Sequence, residues 1–238
     1  MNEFFDRSER LLGSEVMYRL TTVRVILFGV GGVGSWCAES LVRTGLRHLT
    51  IVDSDLVSES NINRQLMATV ETIGQPKVEV MRNRLLSINP EADIIAVNRR
   101  YTAESASDFC LDDYDFVIDA IDSLADKAHL ILSATRVGKE NGRTRLFSSM
   151  GAALRTDPLQ VRKAEFWHVR GDALARALRN RFKRNEEFPA MKFQCVYSEQ
   201  PPSSFPLKGG RGSSPNGSLS QVTMVFGATL ASMVIENV

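Results

Sequence analysis

The apolar positions of this chain fall into short strand-like runs, at residues 23–28, 49–52, 94–97 and 116–118, separated by helical patterns at 33–43 and 77–88. Strands alternating with helices predict an α/β fold built on a doubly wound, mostly parallel sheet. A further short, partly apolar run at 146–150 follows a helix-like stretch at 123–139, and no internal repeat is visible.

Beyond residue 150 the pattern changes. The segment LQVRKAEFWHV (159–169) reads as a strand, and DALARALRNRFKR (172–184) as a helix capped by Asp172 with Leu174, Ala177, Leu178 and Phe182 on one face. The expected organisation is a core at 1–150 and an α+β elaboration of the same domain at 151–238. From 199 to 217, 12 of 19 residues are Gly, Pro or Ser, which predicts a flexible loop, either functional or a tolerated surface insertion. The apolar run at 222–235 falls short of the roughly 20 residues a membrane span needs and reads as a buried or interface helix.

Composition sharpens this picture at three points. With 238 residues, 43% of them hydrophobic, the chain can bury a full core, which excludes disorder as a whole. A net charge of +1 argues against a uniformly basic nucleic-acid coat and leaves local patches open. Cys37, Cys110 and Cys195 form no CxxC pair, and His48, His129 and His168 show no ligand spacing, so neither a disulfide framework nor a zinc site is written here. A reducing cytoplasm fits the cysteines, and the charged start MNEFFDRSER is not a secretory signal.

The chemistry is concentrated in VRVILFGVGGVGSWCAESLVRTGLRHLTIVDSD. Gly29, Gly31 and Gly34 form G-x-G-x-x-G between a strand and a helix, and Asp53 ends the next strand about 20 residues on, the Rossmann-like nucleotide-binding fingerprint in its required context. Glycines let the backbone approach phosphates, the helix N-terminus meets their charge, and the carboxylate accepts ribose hydroxyls. Alone, the motif favours NAD or FAD. Asn61, Arg64 and Lys77 follow closely, however: Asn61 can bond phosphate or ribose, and the two cations can neutralise a triphosphate or serve as ordinary surface ion-pair partners. Asp122 lies just past the carboxyl end of a strand, where open α/β sheets bind ligands, and suits magnesium; Asp119 reads as structural.

Taken together, G-x-G-G-x-G (with Gly32), D-x-D (Asp53 and Asp55), S-N-x-x-R-Q, G-x-x-K and DFVIDAIDS resemble the adenylate-forming superfamily of ubiquitin-activating enzymes and their bacterial relatives ThiF, MoeB and HesA. The resemblance implies a fold that binds Mg-ATP and activates a carboxylate as an acyl-adenylate. It assigns Asp53 to the ribose, Arg64 and Lys77 to phosphates, Asp122 to magnesium, and Asp55, Asn61 and Ser123 to the nucleotide site. It also implies an obligate homodimer, in which an N-terminal arginine of one subunit reaches the other's triphosphate. Arg10, before LLG, fits that motif better than Arg7, and both remain open.

Within the superfamily, GGVGSWCAESLVRTGL, DSDLVSESNINRQ, VIDAIDSLADKAHLI, DPLQV and CVYSEQP are similar, in order, to the branch that dehydrates threonylcarbamoyladenosine at position 37 of tRNA. That branch implies a ligase-type enzyme that uses ATP to activate the threonylcarbamoyl carboxylate, after which a nucleophile in the same group closes a ring. Such an intramolecular attack needs no enzyme cysteine. Residues 162–192 carry nine Lys or Arg against four Asp or Glu, making Arg176, Arg179, Lys183 and Arg184 candidate tRNA contacts, with a solvated helix face as the competing account. Phe166, Trp167, Phe188 and Phe193 can stack an extruded base or simply pack, and Cys195 reads foremost as a small core residue.

Two other functions compete with this one. Activation of a ubiquitin-like sulfur carrier is disfavoured by the missing CxxC pairs, with a sulfur-transfer partner still open. A nicotinamide-dependent oxidoreductase leaves Arg64 and Lys77 without purpose. The combined expectation is a cytoplasmic tRNA-modifying enzyme with no membrane contact.

Overall fold

The computed structural model describes residues 3–203 and 216–238; the remainder of the loop expected at 199–217 lies outside them. Seven strands form one sheet in the order β3-β2-β1-β4-β5-β7-β6. β1 (Arg24–Phe28), β2 (His48–Val52), β3 (Asp93–Val97), β4 (Phe116–Asp119), β5 (Arg145–Ser149) and β7 (Gln194–Ser198) run parallel, and β6 (Val161–Glu165) closes the edge antiparallel to β7.

Helices cover both faces of the sheet. α2 (Ser14–Leu20), α3 (Gly34–Thr44), α4 (Lys77–Ile88) and α7 (Ser220–Ile235) share one core, and α5 (Leu124–Asn141) and α6 (Ala173–Asn185) share the other; α1 (Asp6–Leu12) precedes them at the surface. β1 explains why its run is continuously apolar: Val25 and Leu27 enter the first core, Ile26 and Phe28 the second, so both faces of the strand are buried.

The apolar run near the C-terminus is a buried helix lying directly on α3. A Cβ at Gly227 would sit 2.5 Å from the Val33 carbonyl oxygen and 2.7 Å from Trp36 Cβ, so glycine sets this close approach. Among the described residues no helix is long and apolar enough to cross a membrane.

Three sequence expectations need correction. The strand expected over 159–169 is confined to Val161–Glu165, because the Glu165 carboxylate accepts the Trp167 N–H and turns Phe166–His168 into a 3-10 turn that buries Phe166. β7 was not anticipated: its run QCVYS is polar at both ends and has neither a continuous apolar stretch nor a clean alternation, and Cys195, Val196 and Tyr197 are buried because β5 and β6 flank them. α6 forms with Asp172 as its cap but buries Ala175, Leu178 and Phe182, leaving Leu174 and Ala177 half-buried.

Candidate active site

The carboxyl ends of β2, β1, β4 and β5 open into one cavity of about 830 Å³. The chain leaves β1 toward one face of the sheet and β4 toward the other, which opens a crevice between them. Gly29 stands at that crevice with φ +89°, and a Cβ there would lie 2.6 Å from the Ala120 carbonyl oxygen, so only glycine fits. A Cβ at Gly31 would meet nothing closer than Gln65 Nε2 at 3.8 Å, so its bare backbone faces open space. Gly32 also lines the wall, with Thr223 of α7 against it. Gly34 sits behind the wall as the first residue of α3, where a Cβ would collide with the Gly29 carbonyl oxygen at 1.8 Å.

Asp53, next after β2, braces the glycine loop: Oδ2 accepts the Val30 N–H at 2.7 Å and Oδ1 the Asp55 N–H at 2.9 Å. Burial raises the Asp53 carboxyl above its ordinary value, against the opposing pull of Lys77 and these two N–H groups. Lys77 opens α4 with a buried stem, and its Nζ lies 2.7 Å from Asp55 Oδ2, whose side chain is 65% exposed. Asp55 thus holds Lys77 at the cavity wall without covering it.

Arg64 lines the same wall. Its guanidinium donates to the Ser60 carbonyl and Asn63 Oδ1, while its own carbonyl accepts from Trp36 Nε1 at 3.2 Å and Thr223 Oγ1 at 3.4 Å. Asn61 stands outside the cavity: its Oδ1 accepts the Ser58 N–H, and its carbonyl accepts from the Arg64 and Gln65 N–H groups. In this structure Asn61 shapes the turn that presents Arg64.

Asp122 and Ser123 line the cavity at the end of β4, with Asp122 exposed. Below them Asp119 and Lys127 form a fully buried ion pair at 2.8 Å, and Asp119 also accepts Ser148 Oγ–H at 2.6 Å, so Asp119 is structural. No cluster of three metal-ligating side chains exists among the described residues. Asp122 and Asp55 are exposed carboxylates of this cavity wall, a donor set that suits a hard cation which keeps most of its water shell rather than an all-protein metal cage.

Several residues of this chamber were not legible in the sequence. Thr223 arrives from α7, far along the chain, and the buried Gln65 lines the wall with an Oε1 that has no partner among the described residues. Arg100 donates to Asp126 at 2.7 and 2.9 Å on the rim, and Arg155 forms part of the wall beyond β5. Only Gln65, inside the S-N-x-x-R-Q motif, carried any local signal.

The remaining candidates lie elsewhere. Arg10 is exposed on α1, ion-paired with Asp6 at 2.8 Å, and does not line the cavity of its own chain. On α6, Arg176, Lys183 and Arg184 project to solvent, whereas Arg179 is half-buried, donating to the Phe166 carbonyl at 3.1 Å with its guanidinium 5.7 Å from the Phe166 ring. Phe166 and Phe193 are core; Trp167 and Phe188 remain partly accessible, with ring centroids 6.4 Å apart. Cys195 is sealed in the core, and burial raises its thiol pKa well above the ordinary value, which makes it a poor nucleophile.

The fold and site define a Rossmann-like α/β protein with the glycine loop, acidic strand end and converging cations of a nucleotide-binding chamber. The ThiF family profile matches residues 5–238, and the chain belongs to that family. It is 37% identical over 198 residues to the tRNA threonylcarbamoyladenosine dehydratase of Bacillus subtilis, covering 83% of this chain and 75% of the relative. The protein of the same name from Haemophilus influenzae is 34% identical over 239 residues, covering 95% and 90%. The crystal structure of E. coli tRNA N6-threonylcarbamoyladenosine dehydratase in complex with ATP superposes with a TM-score of 0.86 at 30% identity, covering 99% of this chain and 93% of that one.

Proposed function

We propose that this chain is an ATP-dependent tRNA threonylcarbamoyladenosine dehydratase. The observation that carries this reading is the convergence of the glycine cradle, Asp53, Arg64, Lys77 and Asp122 on one cavity that continues past β5, in a chain similar to such dehydratases over nearly its whole length. A dinucleotide enzyme has no use for the two cations; an adenylating enzyme does.

In this reading the bare backbone of Gly29, Gly31 and Gly32 and the start of α3 receive the phosphates, and Asp53 the ribose. Arg64 and Lys77 neutralise charge that builds on the α-phosphorus as a substrate carboxylate oxygen attacks it. The bond from that phosphorus to the bridging oxygen of the β-phosphate breaks, and pyrophosphate leaves with the electron pair. The tethered nucleophile of the threonylcarbamoyl group then attacks the activated acyl carbon and expels AMP, with net loss of water. Its tether supplies the effective concentration, so no enzyme thiol is required. Asp122, with Ser123 beside it, would hold magnesium, which supplies charge neutralisation for the leaving pyrophosphate.

The reading extends to a cytoplasmic, ligase-type enzyme whose partner is tRNA. Arg176, Lys183 and Arg184, free on the exposed face of α6, would meet the RNA backbone. Phe4, Leu11 and Tyr18 are apolar and exposed on the N-terminal helices, which supports a homodimer in which Arg10 reaches the partner's triphosphate.

The test is pyrophosphate release with Mg-ATP, comparing tRNA bearing threonylcarbamoyladenosine with unmodified tRNA, while nucleoside mass is followed. Release and loss of water only with modified tRNA are expected. Inactivity with both, and activity with the C-terminal carboxylate of a small sulfur carrier, would overturn the proposal in favour of protein activation.

A further inference from the structure

Arg155 is 3% exposed, on the cavity wall beyond the end of β5. Its Nη1 donates to the Gln200 carbonyl and its Nη2 to the Gly171 carbonyl at 3.2 Å, while Nε has no partner among the described residues. Among the described residues the one carboxylate that acts on its charge is Asp172, and both Asp172 oxygens are occupied: Oδ1 accepts the Ala175 N–H at 2.8 Å and Oδ2 the Gly151 N–H at 3.0 Å. Among the described residues Arg155 is therefore a buried cation with Asp172 acting on it only at a distance and no direct ion pair, and its donors outnumber the two neutral carbonyls they meet. Burial lowers its pKa, the signature of a charge held in place at a cost.

Its position shows what the charge is for. Across the mouth of the sheet the order is β2, β1, β4, β5, so Asp53, the glycine loop, Asp122 and Arg155 succeed one another along the cavity. The nucleotide side lies at one end and Arg155 at the other. A carboxylate that must approach a triphosphate is repelled by it, and a fixed cation on the acceptor side offsets that repulsion. An RNA backbone meets exposed cations; a recessed guanidinium is reached only by a small group that enters the chamber.

Resting on the dehydratase reading above, we propose that Arg155 holds the carboxylate to be adenylated, gripping one oxygen while the other attacks the α-phosphorus. Arg155 is thus the residue that distinguishes tRNA bearing the carboxylate from tRNA lacking it.

The experiment measures the affinity of modified and unmodified tRNA, without nucleotide, for wild type, R155Q and R155K, alongside thermal melting and the KM for ATP. Wild type prefers modified tRNA. R155Q reduces that preference about tenfold, equivalent to about 1.4 kcal/mol, without changing affinity for unmodified tRNA or the KM for ATP. R155K, which retains the charge but not the fork, keeps most of the preference and supports the assignment even if R155Q melts early. Equal loss in R155Q and R155K would make Arg155 a stitch between Gln200 and Gly171 and overturn the proposal. So would equal weakening of both tRNAs, which indicates a phosphate contact, or a raised KM for ATP, which indicates a triphosphate contact. A wild type that releases pyrophosphate with modified tRNA yet shows no preference for it defeats this assignment alone; a wild type inactive on both tRNAs defeats the dehydratase reading itself.

Discussion

Lys127 Nζ lies 2.8 Å from Asp119 Oδ2 with both side chains sealed from solvent, directly below the strand end that leads to Asp122. Lys127 also donates to the Ile121 carbonyl at 3.0 Å, and Asp119 accepts the Ile121 N–H at 3.1 Å, so the pair clamps the backbone that carries Asp122. Removing one partner leaves a buried charge uncompensated. Lys127→Met is expected to destabilise the protein by about 3–5 kcal/mol, and Lys127→Met combined with Asp119→Asn by clearly less, measured by urea unfolding. Equal losses in the single and double variants would show that the pair itself is not the source.

Lys77 and Arg64 differ from that clamp. The hydrogen-bonded partner of Lys77 is the exposed Asp55, and Asp53, on which Lys77 also acts, keeps its two N–H donors, so Lys77→Ala disturbs the fold less than breaking the buried pair. Lys77→Ala and Arg64→Ala should each lower the pyrophosphate-release rate by about 10²–10³-fold with melting temperatures close to wild type. Unchanged turnover in both would remove them from the phosphate site.

The basic face of α6 divides on structural grounds. Lys183→Glu with Arg184→Glu should weaken tRNA binding and make its logarithmic salt dependence shallower by about 2, one unit per phosphate contact. ATP binding should be untouched. Arg179→Ala instead loses the Phe166 contacts and should act on stability more than on RNA. Salt-titrated binding curves that overlay wild type would leave α6 as a solvated face.

Asp53 carries a pH signature. A carboxyl whose value in the fold lies above its unfolded value contributes its full stability below the unfolded value, about 3.9 for aspartate, and loses it as pH rises through the folded value. Asp53 is shifted in that direction, foremost by burial. The stability of Asp53→Asn relative to wild type should therefore increase from pH 4 toward neutrality, read by urea unfolding at each pH, while nucleotide affinity falls. A stability difference that narrows over that range would reverse the assigned shift.

How much of this was legible beforehand follows the range of the interactions. The glycine loop, Asp53, Arg64, Lys77 and Asp122 are each marked by close neighbours in the chain, because a phosphate site is built from a strand end, a tight turn and a helix start. β1, β2 and β4 were equally plain, since burial on both faces leaves continuous apolar runs, whereas β5 showed only as a partly apolar run. β7 was not, because its burial depends on β5 and β6, and the turn at Phe166–His168 hangs on one Glu165 carboxylate. Asn61 shows the converse: a local motif names it for the nucleotide, and the fold turns it to the Ser58 N–H.

By itself, then, the sequence determined the alternation of strands and helices, the glycine loop and the cations that follow it in the chain, all of them products of short-range periodicity, backbone freedom and charge. Only the tertiary structure decided that Asp119 pairs with Lys127 while Asp122 stays open, that α7 returns to set Thr223 against Gly32, and that Arg155 is buried in the wall beyond β5 with no direct ion pair among the described residues. Those are consequences of packing between distant segments, where burial and the presence or absence of an opposite charge depend on which elements meet, and no window of neighbouring residues records that.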